Sequence, residues 1–287
     1  MSRRADEVDL ASPRDINSFL EERGITLKKR WGQNFLFQER YRRWIVDLLA
    51  PLPGERIWEI GPGIGALTDE LVASGARLTL FEIDHGLIEL LSERFGEGVE
   101  IVAGDAVKRC REALDQGPPP SKVVGNLPYS SGSRIIASFV ESNLARVPPM
   151  VVMVQREVAQ RMVAEAGGQE YSSFTVLIGS CYTPRLEGEV PADAFTPSPR
   201  VRSTVVRLEP REDALPPPQR IALSTVARAL FSSRRKTVRN CLRRNFDGPE
   251  VDKLTSRLEE LGYSPDSRGE ELSTDVYAAL ARRLLEG

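Results

Sequence analysis

The stretch that most restricts the fold is Arg56-Ile57-Trp58-Glu59-Ile60, followed at once by Gly61-Pro62-Gly63-Ile64-Gly65 and then Ala66-Leu67-Thr68. The first five residues read as a strand, the glycines as a turn and the last three as the opening of a helix. Glycines at such a junction let the backbone approach a ligand closely at a helix N-terminus. Spacing alone leaves the ligand open. Gly61 and Gly63 stand where a dinucleotide fingerprint has its first two glycines, and Ala66 is a permitted variant at its third position.

Three further strands end in ligand-type chemistry. Leu78-Thr79-Leu80-Phe81 runs into Glu82, with Asp84 beyond; an acid here reads a ribose diol in either cofactor class. Val99-Glu100-Ile101-Val102 runs into Ala103-Gly104-Asp105-Ala106, where a carboxylate can accept from an adenine amino group. Lys122-Val123-Val124-Gly125 runs into Asn126-Leu127-Pro128-Tyr129, ahead of a Ser/Gly-rich helix start at Ser130–Ser133. In open α/β sheets, ligands bind at the carboxyl ends of the strands. An exocyclic aromatic amine is a poor nucleophile because its lone pair is delocalised into the ring. The Asn126 amide oxygen and the Leu127 carbonyl, held by the Pro128 turn, can accept both of its N–H bonds and favour a more pyramidal nitrogen. Tyr129 can stack on the base. The plainer reading of these four residues is a strand-to-helix turn in which Asn caps, Pro fixes φ and Tyr packs. Coincidence at one strand end is easy; at four it is not.

Composition narrows the class. With 287 residues, 41% hydrophobic and 28% charged, the chain suits a soluble protein with one large and one smaller domain. No apolar run approaches the ~18 residues of a membrane span, and Met1–Glu7 has no apolar signal region. Cys110, Cys181 and Cys241 fit free thiols in a reducing compartment, so a cytoplasmic location is expected. A single histidine, His85, argues against a His-based triad or a multi-His metal site, and no metal is expected. The net charge of −2 hides two basic blocks. Arg23, Lys28, Lys29, Arg30, Arg40, Arg42 and Arg43 face only Glu39 between positions 23 and 43. Eight basic residues and no acid lie between Ala214 and Phe246. Such blocks are often solvated faces; two in one chain suggest a polyanionic partner.

Upstream, Ser12-Pro13 caps a short helix with Ile16, Phe19 and Leu20 on its apolar face, ended by Gly24. Leu27-Lys-Lys-Arg-Trp-Gly-Gln-Asn-Phe-Leu36 is either a surface loop with aromatic anchors or a lid whose Gln33, Asn34 and Leu36 backbone reach a ligand. Tyr41–Leu49 reads as an amphipathic helix. Downstream, Met150–Val154 reads as a buried strand, Gln155–Arg161 as the opening of a charged helix, Ser172–Cys181 as an apolar helix and Ser203–Leu208 as a late strand. Pro197 and Pro199 fix an extended turn that either presents Phe195 to the second face of a base held by Tyr129 or leaves Phe195 as a core anchor. Residues 1–209 form one expected domain, 210–219 a proline-rich linker, and 220–287 a small helical domain with helices near 221–231, 237–246, 250–261 and 275–285.

Taken together the motifs resemble class I S-adenosylmethionine-dependent methyltransferases. Asn126–Tyr129 looks like the amino-methyltransferase motif in its Asn-Leu-Pro-Tyr form, and with Gly32-Gln33-Asn34-Phe35-Leu36 it is similar to the rRNA adenine N6-dimethyltransferases. Phe195-Thr-Pro197-Ser-Pro199-Arg-Val201-Arg-Ser203 matches that family's Phe-x-Pro-x-Pro-x-Val-x-Ser segment. Phe231–Asn240 resembles the C-terminal signature of the KsgA (RsmA) family of small-subunit (16S) rRNA dimethyltransferases. Trp31 stands where Phe is common in the family, and His85 where Arg or Lys is common.

The resemblance implies a Rossmann-like α/β methyltransferase domain with a small C-terminal all-α domain. It implies transfer of two methyl groups to N6 of each of two adjacent adenines near the 3′ end of small-subunit rRNA. The implied cofactor is S-adenosyl-L-methionine, held by Asn34, Leu36, Gly61, Gly63, Glu82, Asp105 and Asn126. Asn126, Leu127, Tyr129 and Phe195 would handle the target base. Lys28, Lys29, Arg30, Arg234, Arg235, Lys236, Arg239, Arg243 and Arg244 would hold RNA of a pre-ribosomal 30S particle, with the protein a monomer. A large-subunit rRNA dimethyltransferase shares the motifs through Tyr129, but the Phe231–Asn240 segment speaks against it. A non-catalytic ribosome-assembly factor on the same fold is disfavoured by the intact glycine loop and Asn126–Tyr129. A nicotinamide oxidoreductase would explain only the glycine loop and Glu82.

Overall fold

A computed structural model describes residues 3–28 and 31–286. In chain order the helices are α1 Pro13–Glu22, α2 Glu39–Leu49, α3 Ala66–Ala73, α4 His85–Phe95, α5 Ala106–Gln116 and α6 Gly132–Val140. They continue with α7 Arg156–Met162, α8 Ser173–Gly179, α9 Pro217–Phe231, α10 Val238–Asn245, α11 Gly248–Glu260 and α12 Thr274–Leu285. The strands are β1 Phe35–Leu36, β2 Arg56–Ile60, β3 Arg77–Glu82, β4 Val99–Ala103, β5 Lys122–Asn126, β6 Met150–Gln155, β7 Tyr182–Val190, β8 Phe195–Thr196 and β9 Ser203–Pro210.

Seven strands form one sheet in the order β4-β3-β2-β5-β6-β9-β7. Pairing is parallel from β4 through β6 and antiparallel between β6 and β9. The order reverses between β2 and β5, so a ligand crevice is expected beyond their carboxyl ends. Gly125 is required there. A Cβ on it would stand 2.3 Å from the Ile60 carbonyl oxygen, so any side chain would push β5 away from β2. β6 is buried along most of its length, as its unbroken apolar run demands.

Two hydrophobic clusters support the crevice. One joins Ile57, Leu78, Leu80, Val124, Val151 and Val205 of the sheet to Ile45 and Leu49 of α2. The other docks the N-terminal segment: Ala5, Val8, Leu10, Ile16, Phe19 and Leu20 pack on Phe35, Ile64, Ala66, Leu87 and Leu90. Arg42, nearly buried, donates to the carbonyls of Leu10 (3.0 Å) and Phe37 (2.7 Å), tying that segment to α2.

Residue contacts divide the chain into two compact units, and the division is not linear. The first takes the chain up to Ile135 together with Pro148–Ala159 and Arg185–Glu209. The second takes Ile136–Val147, Gln160–Pro184 and everything from Pro210 onward. The expected boundary at 209 therefore misses two earlier segments, and the expected linker 210–219 already contains the start of α9 at Pro217. Within the second unit, Arg220 is fully buried and donates to the carbonyls of Ser142 (3.0 Å) and Leu144. Phe231 stacks on Tyr277 at 6.1 Å and meets the Tyr171 edge at 5.8 Å. Among the described residues, no helix is long and apolar enough to cross a membrane.

Candidate active site

Two cavities lie at the carboxyl end of the sheet in the first unit. The first, about 350 Å³, is lined by Asn34, Leu36, Glu59, Gly61, Gly63, Glu82, Asp105, Asn126 and Pro128, among others. All seven residues expected to hold a cofactor line it. The second, about 420 Å³, is lined by Tyr129, Gln155 and Pro197–Val201. Gly32, Gln33, Asn34 and Ser130 line both, so the two cavities share a wall.

The glycine loop builds the floor of the first cavity. Gly61, Gly63 and Gly65 have φ of +70°, +61° and +84°, a region that side chains avoid. Glu82 leaves β3 nearly buried, and its carboxylate accepts from the backbone N–H groups of Ile83 (2.8 Å), Asp84 (3.0 Å) and Gly63 (3.2 Å). Burial raises its pKa, and the three N–H donors oppose that rise. They also hold the carboxylate at the mouth of the glycine turn. Asp105 caps α5 through Oδ1, which accepts from Val107 N–H at 2.9 Å, and Oδ2 has no donor among the described residues.

The loop ahead of β1 is fixed by side chains. Gln33 donates to Asp84 at 3.0 Å and accepts from the Lys28 N–H at 2.7 Å. Asn34 donates to the Gly32 carbonyl at 3.0 Å. Asn126 then donates its amide to the Asn34 carbonyl at 2.8 Å. A carbonyl can only accept, so this bond fixes the amide orientation and leaves Oδ1 as the outward-facing acceptor. Oδ1 has no donor among the described residues. The loop expected over Leu27–Leu36 is thus bonded to the Asn126 motif at Asn34.

Leu127 turns its side chain into the core, and its N–H bonds the Met153 carbonyl at 3.0 Å. Its carbonyl receives no bond among the described residues. Tyr129 stands in the second cavity with its hydroxyl 2.7 Å from Ser203 Oγ. Burial pushes its phenol pKa up, with the Ser203 bond opposing.

Several expectations need correction. Phe195 lines neither cavity; it is 3% exposed in the main core cluster, with Leu36 opposite it in the β1–β8 pair. It is the core anchor, not a second stacking ring. Arg234 is committed inside the second unit, donating to Glu270 (2.9 Å) and to the carbonyls of Gln169 (3.0 Å) and Tyr171 (3.0 Å). Arg239 is half-buried and 4.0 Å from Asp266. Arg235, Lys236, Arg243 and Arg244 are exposed, with no ion pair among the described residues. Lys28 lies over the Trp31 ring at 4.0 Å and 3.7 Å from Asp84, while Lys29 and Arg30 lie outside the described residues.

Three residues of the site were not singled out from the sequence. Glu59, 1% exposed, accepts from Thr68 Oγ1 at 2.7 Å, and burial pushes its pKa to about 8. A glutamate inside an otherwise apolar strand was the available signal. Gln155 and Arg200 line the second cavity; Gln155 was read only as a helix opening. His85 is exposed at the start of α4, away from both cavities.

Comparison with known proteins identifies the family. The family model for ribosomal RNA adenine dimethylase matches residues 24–273. The ribosomal RNA small subunit methyltransferase A of Aromatoleum aromaticum is 41% identical over 259 residues, spanning 88% of this chain and 92% of that protein. The protein of the same name from Treponema pallidum is 38% identical over 277 residues, spanning 95% and 96%. Among solved structures, a dimethyladenosine transferase from Plasmodium falciparum superposes with a TM-score of 0.68 at 23% identity, covering 85% of this chain and 94% of that one. The 23S rRNA methyltransferase ErmE gives 0.60 at 23%, covering 88% and 99%. These two likenesses establish the fold, and a match spanning most of the sequence establishes the family: the chain belongs to the ribosomal RNA adenine dimethylase family.

Proposed function

We propose that this protein dimethylates N6 of each of two adjacent adenines near the 3′ end of small-subunit (16S) rRNA. It would act as a cytoplasmic monomer on a pre-ribosomal 30S particle, with S-adenosylmethionine as methyl donor. The observation that carries the reading is the reach of Asn126–Tyr129: Asn126 lines the first cavity and Tyr129 the second, across a shared wall. One cavity suits a cofactor and the other a base. The relatives at 36–41% identity named small subunit methyltransferase A support the choice of subunit.

The donors and acceptors of the first cavity fit S-adenosylmethionine. Glu82, oriented by three backbone donors, keeps lone pairs for ribose hydroxyls. Asp105 Oδ2 can accept from an adenine amino group, and the bare backbone at Gly61 and Gly63 admits the methionine part. When bound, S-adenosylmethionine supplies the electrophilic methyl group. Asn126 Oδ1 and the Leu127 carbonyl accept the N–H bonds of the target amine, drawing its lone pair out of the ring. Tyr129 receives the face of the unstacked base. Positioning and electrostatics supply most of the acceleration. The methylated amine then releases its proton to water.

The test is to incubate the protein with isotopically labelled S-adenosylmethionine and 30S particles lacking this modification, then sequence rRNA fragments by mass spectrometry. Label should appear as N6,N6-dimethyladenine at two adjacent positions near the 3′ end of small-subunit rRNA. Label confined to large-subunit rRNA, or absent from adenine, refutes the reading.

A further inference from the structure

The second cavity contains a side chain to which the chemistry above assigns no task. Gln155 ends β6 and pairs with Ser203 across the antiparallel β6–β9 ladder. Residues directly opposite in such a pair project to the same face of the sheet. Ser203 is fully buried and its Oγ holds the Tyr129 hydroxyl at 2.7 Å. The Gln155 amide therefore stands beside the tethered end of the ring expected to carry the base.

Three amide side chains line this cavity: Gln33, Asn34 and Gln155. Gln33 commits its NH₂ to Asp84 and Asn34 commits its own to the Gly32 carbonyl. Gln155, half-buried, has no side-chain hydrogen bond among the described residues. Its NH₂ is thus the uncommitted amide donor among the three, open to a ligand that enters beside Tyr129. Adenine carries an acceptor-only ring nitrogen on each side of its amino group, N1 and N7. Guanine instead presents a donor at N1 and a carbonyl at C6. Guanine N7 is an acceptor as in adenine, so it is a donor to N1 that separates the two purines, and it does so without competing with Asn126 for the amine hydrogens.

We propose that Gln155 is a specificity-determining residue that reads the target base, its Nε2–H donating to N1 beside the reacting amine. The proposal rests on the reading of this site as an adenine N6-methyltransferase. Ring nitrogens keep their lone pairs while the amine loses its hydrogens, so the bond persists through both transfers.

The test is a cycle between enzyme and substrate. Single-turnover rates are measured on 30S particles whose target adenosine is intact or replaced by 1-deaza- or 7-deazaadenosine. Removal of one hydrogen bond corresponds to about a tenfold change. Gln155→Ala should lose roughly that on adenosine and on 7-deazaadenosine, in the first and second transfers alike, yet lose nothing further on 1-deazaadenosine. Gln155→Glu, which removes the donor with little change of shape, should repeat the pattern and stands in if the alanine variant does not fold. A loss that adds independently on 1-deazaadenosine, or a wild-type rate in either variant, overturns the proposal. No methylation of the adenosine control by the unmodified enzyme would instead refute the activity itself.

Discussion

Asn126 has two functional ends with different tasks. Its nitrogen is bound to the Asn34 carbonyl at 2.8 Å, which aims its oxygen. That oxygen matters most when the target nitrogen turns tetrahedral, so its removal should lower rate more than affinity. Asn126→Ala is expected to fold and retain RNA binding while single-turnover methyl transfer at saturating S-adenosylmethionine falls by about 10²–10³, as for other electrostatic stabilisers when removed. Near-normal turnover at saturating RNA would reduce the motif to a turn. Tyr129 differs because base stacking contributes ~1–3 kcal/mol before chemistry begins. Tyr129→Ala should impair capture and rate together, whereas Tyr129→Phe, losing only the Ser203 tether, should retain capture. Glu82 belongs to the other cavity. Three backbone N–H groups hold it in place, so Glu82→Ala removes an oriented acceptor and leaves those donors without one. S-adenosylmethionine affinity should fall roughly tenfold or more, the scale of a hydrogen bond to a charged group, with RNA binding intact. Unchanged calorimetric titration of that variant would remove Glu82 from the cofactor site.

Among the elements, the basic segment around α10 is where sequence and structure part most usefully. Six cations between Arg234 and Arg244 look equivalent in the sequence, but packing distinguishes them. Arg234 bonds Glu270 and two carbonyls, while Arg235, Lys236, Arg243 and Arg244 stand exposed. Neutralising those four should weaken RNA binding and reduce the salt slope by up to about 0.9 for each phosphate no longer neutralised, with cofactor affinity unchanged. Arg234→Ala should lower the melting temperature and leave the salt slope alone. A salt slope that ignores all four would make the segment an ordinary solvated face. The parallel strands β2 to β5 were legible because each is a short, largely apolar run ending in or followed by Gly, Asp, Glu or Asn, a pattern set by local chemistry. β7 was not. Its sequence, Tyr182 to Val190, carries Pro184, Gly188 and alternating charges, the composition of an edge strand, and β7 is the last strand of its sheet. The β1–β8 pair was equally hidden, because each strand has two residues and exists only through its partner. That pair decides the fate of Phe195, whose burial no local pattern around Pro197 and Pro199 could reveal. Gln155 was missed for a related reason: it is polar at the end of a buried strand, and only the register with Ser203 gives it a neighbour that matters.

For the whole molecule, the pH dependence of stability reflects two glutamates that act in opposite directions. Arg23 bonds Glu93, and the Ala5 N–H adds to it, holding its pKa near 2. A depressed acid favours the fold above its unfolded pKa of about 4.3 and loses that contribution as pH falls toward 2. Glu93 is 42% exposed, so solvent screening keeps the effect small. Glu59 is the stronger case. Burial raises its pKa to about 8 against a weaker opposing bond from Thr68, so the native state keeps a proton that the unfolded chain releases from about pH 4.3 upward. The unfolded state then binds fewer protons, and stability falls with rising pH across that window. The slope is at most about 1.4 kcal/mol per pH unit from this one site, and it vanishes above pH 8 when the native carboxyl ionises as well. Glu59→Gln removes the titration and keeps a group able to bond Thr68. Near pH 4 the variant should melt close to the unmodified protein. By pH 8 it should melt higher, with the gap widening steadily between. Melting curves taken across that range decide the matter, since parallel profiles for the two proteins would mean that Glu59 is ionised in the fold and that burial does not govern it.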